Sequence, residues 1–254
     1  MIWPRVIAIG SKKGGVAKTT TCLSLGASFA GEGKNVLLID LDPEAHLSVS
    51  LGLNPERVRR TIGDALLSGL SLASVVCETR VPQLELIPAN LSLDALDKLL
   101  YGRPDYELYL KSWLEAAKGD YDLILVDSPP SSSTLTINAL TAANLLIIPT
   151  QCEYYASRSL HNVLKLVRQV RQKTNPTLAY RVLVTMFDRR NRIAHFIREQ
   201  LEDAFSDALF KTVIEVDTRL RESPTFGLPV TSYAPATRGA RQYRALAQEL
   251  MNNA

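Results

Sequence analysis

The sequence predicts an α/β fold in which a doubly wound, mostly parallel central sheet is flanked by helices. Three observations carry that expectation. The apolar runs Val6–Ile9, Val36–Ile39, Leu123–Val126 and Leu145–Ile148 have the unbroken pattern of buried parallel strands. Helical patterns alternate with them along the chain. The first run leads straight into a glycine turn, a lysine, a hydroxyl residue and a helix, the layout of a phosphate-binding loop.

That loop is Ser11-Lys12-Lys13-Gly14-Gly15-Val16-Ala17-Lys18-Thr19-Thr20-Thr21. Gly14 and Gly15 allow the tight turn that points backbone N–H groups inward. The helix beginning near Lys18 brings a positive N-terminal end to bound phosphate. Lys18 is then placed to reach β- and γ-phosphates, and the Thr19 hydroxyl to ligand Mg2+. Ala17 replaces the last glycine of the usual loop, and a second lysine, Lys13, precedes the glycines.

The remaining elements follow in order. The first strand is expected at about 5–10 and the first helix at 18–30, closed by Gly31-Glu32-Gly33. The second strand ends in Asp40-Leu41-Asp42, carboxylates at the end of a central strand where such sheets place ligands. One carboxylate suits Mg2+ and its waters, the other an attacking water. A short helix capped by Thr61, a short strand at 84–88 and amphipathic helices at 94–100 and 105–118 come next. Arg57, Arg59 and Arg60 form a small basic cluster that reads as solvated surface. The run 123–126 ends in Asp127, matching a Walker B carboxylate that holds Mg2+ through water. Pro129 to Ser133 reads as a switch-like loop facing the γ-phosphate. Later come strands at 145–149, 181–185 and 210–216 and helices at 157–172 and 240–251. Arg189, Arg190 and Arg192 make a candidate phosphate-contact cluster at a helix start.

Composition narrows the function classes. At 254 residues with 46% hydrophobic and 22% charged residues, one large domain over residues 1–254 is expected. No apolar run reaches the ~18 residues of a membrane span, and the start lacks signal-peptide features. Cys22, Cys77 and Cys152 are scattered, and His46, His161 and His195 are isolated, so neither disulfides nor a metal cage is expected. Charge is uneven. Residues 1–154 hold 13 Lys/Arg against 17 Asp/Glu, whereas residues 155–254 hold 16 against 9. Such asymmetry fits either solvated helix faces or a polyanion partner.

Taken together, the ordered motifs resemble the ParA/Soj branch of the deviant Walker A ATPases, the ParA/MinD superfamily, from about Val6 to Leu250. They are Lys13–Thr20, Asp40–Pro43, Asp127–Pro130, Ile148–Tyr154, Thr185–Asp188, Phe210–Ile214 and Gly227–Val230. The resemblance implies a P-loop NTPase that binds ATP and Mg2+ and pairs face to face into a nucleotide sandwich homodimer. In it Lys13 would reach the partner's phosphates, and Lys18 with residues 14–20 would bind those of its own subunit. Asp42 would activate water, with Thr19, Asp40 and Asp127 near the metal. Adenine would lie near Met186–Phe187 and the loop at Asp217. Arg190 and Arg219 would contact nonspecific double-stranded DNA, with Arg189, Arg192 and Arg221 as neighbours. A ParB-like or other cargo-adaptor protein would trigger hydrolysis, in a cytoplasmic, nucleoid-associated cycle that positions DNA or other cargo.

Four departures from the family pattern stand out: Ser11-Lys12 for Asn-Gln, Ala17 for Gly, Pro43-Glu44-Ala45-His46 for Pro-Gln-Gly-Asn, and Glu215-Val216-Asp217 for Pro-Arg-Asn. They bear on hydrolysis rate and DNA affinity. With the chain beginning at its first strand, no N-terminal helix-turn-helix domain is expected. Two other readings compete. A MinD-like membrane-surface ATPase needs a C-terminal amphipathic anchor, which residues 243–254 lack, and liposome co-sedimentation would favour it. A nucleotide-gated scaffold with little hydrolysis would show equal, near-zero turnover in wild type and Asp42→Ala.

Overall fold

The computed structural model describes residues 6–116 and 121–252. Seven strands form one sheet: β1 (Val6–Ile9), β2 (Val36–Asp40), β3 (Cys77–Glu78), β4 (Leu84–Ile87), β5 (Leu123–Asp127), β6 (Leu145–Thr150) and β7 (Ala179–Val184). Their order is β3-β4-β2-β5-β1-β6-β7, and every pairing is parallel except β3 with β4. The expected doubly wound sheet is therefore present, with one short antiparallel strand at an edge.

Alternation along the strands builds two cores. Ile7, Ile9, Leu38 and Leu125 face one side, and Ala8, Leu37, Ile39 and Val126 the other. The first face is covered by helices α1 (Lys18–Gly31) and α2 (His46–Ser50). Helices α3 (Ile62–Ser68), α4 (Leu72–Val75), α5 (Ser92–Leu100), α6 (Tyr109–Ala116), α7 (Thr134–Ala142), α8 (Ala156–Lys173) and α9 (Arg192–Phe205) pack on the second. Helices α10 (Thr218–Glu222), α11 (Val230–Tyr233) and α12 (Arg238–Asn252) return to the first. Helix α1 lies very close to the sheet at Gly26, where a Cβ would fall 2.7 Å from Leu38 and 3.0 Å from Leu125. Only glycine permits that approach.

Several elements differ from expectation. Residues 210–216 do not form a strand. Residues 209 and 215 make isolated parallel bridges to Val182 and Phe187. Between them the N–H groups of Lys211 and Thr212 donate to the Glu249 carboxylate at 2.9 and 2.8 Å. A charged acceptor outcompetes the β7 ladder there. The helix expected at 105–118 divides into a 3-10 turn, Tyr106–Leu108, and α6, with Lys118 outside the described residues. Helix α7 escapes sequence patterning because seven of its nine residues are buried and no polar face marks it. Thr61 caps α3 as expected, in a reciprocal capping box with Asp64, whose carboxylate accepts the Thr61 N–H at 2.7 Å.

Candidate functional site

The phosphate loop occupies the turn from β1 to α1, at the carboxyl end of the sheet's central strands. Three of its carbonyl groups are engaged by side chains. The Lys18 ammonium, within the loop, donates to the Lys13 carbonyl (3.4 Å), and from outside the loop the Gln151 amide donates to that of Gly15 (3.3 Å) and the Thr185 hydroxyl to that of Val16 (3.0 Å). With these carbonyls engaged, the N–H groups are left for an anion. A Cβ built on Gly14 or Gly15 would meet nothing within 4 Å, so the cradle is open on that side. Gly15 has φ +72°, a conformation glycine adopts without strain.

Ala17 takes the same left-handed conformation, φ 68°, at the N-cap of α1. Ala45 does so at the N-cap of α2, φ 53°, and Met186 at φ 52°. All three lie at or beside the cleft described below, a clustering of backbone strain common at binding sites. The two alanines stand where the resembled family carries glycine, so the local geometry is kept at a conformational cost. Ala17→Gly should raise the apo stability by roughly 0.5–1 kcal/mol, because relief of left-handed strain exceeds the added freedom of the unfolded chain. Thermal melting checks this, and a lowered midpoint would contradict it.

A cleft of about 550 Å3 opens over the loop. Gly14, Gly15, Ala17, Lys18, Thr19 and Thr20 form its floor. Asp42 and Glu44 stand at one side, with Met186, the segment 214–217 and Arg221 at the other. The adenine-side residues expected from the sequence, Met186 and Asp217, are thus brought to the cleft. Val16 is buried behind it. Asp217 is already engaged: one oxygen accepts the Arg219 N–H at the start of α10, and the other accepts the Gly239 N–H in α12 at 2.8 Å.

The three aspartates play distinct structural parts. Asp40 is fully buried, and its carboxylate accepts the N–H and hydroxyl of Ser48 at 2.9 and 2.7 Å and the N–H of Asp42 at 3.1 Å. It organises α2 and the Asp42 turn. Asp42 accepts the Glu44 N–H and borders the cleft. Asp127 is fully buried, and neither carboxylate oxygen has a hydrogen-bond partner. Burial drives its carboxyl well above the usual range and Asp40 adds to the shift, while nearby Thr19 and Lys18 oppose it. An orphaned buried carboxylate beside a threonine hydroxyl at the foot of a phosphate cradle fits a divalent cation. Lys18 is itself buried, which lowers its affinity for a proton, while Asp127 and Asp42 raise it.

Burial also pushes Asp40 up from 3.8 to about 6. Between those values the folded chain holds a proton that the unfolded chain has lost. Asp40 therefore destabilises progressively as pH rises through this window, by about 3 kcal/mol once above it. Apo wild type should lose stability relative to Asp40→Asn between pH 4 and 6. Parallel pH–stability curves would contradict this.

Lys13 behaves unlike Lys18. Its ammonium leaves the loop and is held at the rim by Gln151 (3.1 Å) and by the carboxylate of Glu153. Gln151 also donates to the Met186 sulfur at 2.8 Å, tying the phosphate loop to the Met186 side of the cleft. Gln151 and Thr185 join the site only in the structure; in the sequence their one signal is that they fall within the stretches Ile148–Tyr154 and Thr185–Asp188.

The candidate DNA-contact arginines are exposed around the start of α9 and in α10. Arg189 pairs with Glu215 at 2.6 Å, Arg190 with Asp188 at 2.9 Å, and Arg219 with Glu222. Arg192 and Arg221 form no ion pair among the described residues, and Arg221 reaches the cleft. Glu215 is buried and bridges Arg189 and Arg238 while accepting from Gln242. Its charge is thus internally neutralised rather than displayed beside the arginines.

The chain's relatives agree with this architecture. A family model described as an AAA domain matches residues 4–180. The sporulation initiation inhibitor protein Soj of Bacillus subtilis is 41% identical over 98% of this chain and 99% of its own length. The chromosome partitioning protein ParA of Myxococcus xanthus is 37% identical over 97% and 88%. Among solved structures, cobyrinic acid a,c-diamide synthase from Mycobacterium smegmatis with bound ATP analogue and magnesium superposes with a TM-score of 0.86. It is 33% identical and covers 98% of this chain and 95% of that one. Full-length relatives of this closeness, on a chain whose two-lysine loop frames such a cleft, establish that it belongs to the ParA/Soj family of partition ATPases.

Proposed function

We propose that the protein is an ATP- and Mg2+-dependent dimerising switch. In this reading it binds nonspecific double-stranded DNA in its ATP state and is returned by hydrolysis that a ParB-like or other cargo-adaptor protein stimulates. The observation that carries the reading is the division of labour between the two lysines. Lys18 fills the loop of its own subunit, whereas Lys13 is turned to the outer rim, 36% exposed, where a second copy would approach.

The residues present suit this task. Lys18 and the loop N–H groups bind the phosphates, and Thr19 with Asp127 would hold Mg2+, which when bound neutralises charge on the β- and γ-phosphates. Asp42, at the cleft margin, would orient the attacking water. Asp40 supports both through Ser48 and the Asp42 turn. Lys13 of the partner would add a further positive charge at the phosphates. Arg190 and Arg219, with Arg189, Arg192 and Arg221, supply exposed guanidinium groups for a phosphate backbone.

The test is a titration of random-sequence duplex with purified protein. ATP should strengthen binding by about tenfold or more at low salt, and binding should weaken steeply as salt rises. The same DNA affinity with ATP, with ADP and without nucleotide would defeat the proposal. No helix among the described residues is long and apolar enough to cross a membrane.

A further inference from the structure

A second basic feature lies beside β3, at the opposite edge of the sheet from β7 and the arginines at the start of α9. The loop between α2 and α3 carries Arg57, Arg59 and Arg60, and all three line one open cleft of about 540 Å3. Its other wall is the end of α4 and the start of β3, residues 74–77. Three properties together mark this cleft. All three guanidinium groups are exposed, and none has a hydrogen bond or ion pair among the described residues, a state that Arg192 and Arg221 share as regards ion pairs. No acidic side chain lines the cleft. Its lining also includes the half-buried apolar residues Val58 and Val76, beside a two-residue edge strand that has no neighbour on its outer side among the described residues.

We infer that this cleft is a docking surface for an acidic, extended segment of a partner protein, one that lies along β3 and sets its carboxylates against Arg57, Arg59 and Arg60. Each part of the cleft matches a part of such a ligand. An unpaired strand edge accepts backbone hydrogen bonds from an added strand. Apolar wall residues accept alternate side chains of that strand. Guanidinium groups take carboxylates in bidentate fashion and repel a basic sequence. A nucleic-acid duplex would use the arginines but neither the strand edge nor the valines, so a peptide accounts for more of the surface. The site is separate from the nucleotide cleft, and its partner chemistry is acidic.

A fluorescein-labelled octapeptide of alternating Glu and Val provides the probe, with fluorescence anisotropy on the full-length, nucleotide-free protein. Saturable binding at low salt is expected, weakening as salt rises. The double substitution Arg57→Glu/Arg60→Glu should weaken it by about tenfold or more while leaving ATP turnover and the thermal midpoint at wild-type values. Cys77 is a half-buried thiol on β3, while Cys22 and Cys152 are buried. Bound peptide should therefore slow alkylation of Cys77 in wild type, a readout that holds even if the double variant folds poorly. Absence of saturable binding, equal binding of a Lys–Val octapeptide, unchanged Cys77 alkylation, or displacement of the peptide by a short DNA duplex would each overturn the inference.

Discussion

Asp127→Asn is expected to stabilise the nucleotide-free protein and at the same time to abolish its Mg2+-dependent gains. The wild-type carboxylate is fully buried with both oxygens unpartnered, next to a second buried carboxylate, Asp40. An amide of the same shape removes the ionisable charge. Burial and Asp40 disfavour the ionised form of Asp127 more than Lys18 and Thr19 favour it, so removing the ionisable group should be worth about 1 kcal/mol after the amide's own unmade hydrogen bonds are counted. For a domain of this size that is a rise of roughly 2–4 °C in the apo midpoint. The difference between ATP with Mg2+ and ATP with chelator, about 2.7 kcal/mol at a hundredfold excess over Kd in wild type, should vanish. Turnover should fall by about 10²–10³, the loss typical of removing one charge-stabilising group. A destabilised apo variant that keeps its Mg2+ response would show that Asp127 is a structural carboxylate and not a metal ligand. Opposite signs for stability and function in one substitution are what a site strained toward its ligand produces.

Lys13→Gln should leave nucleotide binding to the monomer within about threefold of wild type while removing ATP-dependent dimerisation and DNA binding, because this ammonium does not point into its own loop. Analytical ultracentrifugation with ATP separates the two properties. Loss of monomer nucleotide binding, with no separate dimer defect, would refute the cross-subunit role. The complementary change is Glu153→Gln. In the monomer Glu153 and Gln151 hold Lys13 at the rim, and a lysine reaching a partner's phosphates must first leave them. The pair is substantially exposed, at 36% and 57%, so releasing it is worth up to about 1 kcal/mol per subunit. Glu153→Gln should therefore tighten ATP-dependent dimerisation by about three- to tenfold. A weaker dimer would place Glu153 among the contacts that build the interface instead.

Much of this fold is legible in the sequence, and the reasons are local. A buried parallel strand must be apolar on both faces, so β1, β2, β5 and β6 declare themselves as unbroken runs. A turn that presents N–H groups to phosphate needs glycines, a lysine and a helix start in fixed order, so residues 13–20 are readable as a unit. Aspartates ending strands β2 and β5 are readable for the same reason, since strand ends are where such sheets bind ligands. The elements that depart from the local pattern depend on non-local partners. Residues 210–216 have the composition of a strand, but Glu249, far along the chain, captures the N–H groups that a ladder would need. Helix α7 carries no amphipathic signal because neighbours cover it almost all round.

The central parallel strands, the phosphate loop, the order of the three aspartates and the family are written in residues close together in the chain. What those residues experience depends on packing. It left Asp127 without partners while surrounding Asp40 with donors. It turned Lys18 inward and Lys13 outward, buried the charge of Glu215 between two arginines, and assembled Arg57, Arg59 and Arg60 on one cleft beside a free strand edge. Burial and charge pairing depend on which distant segments pack together, and no local pattern of residue types specifies that packing.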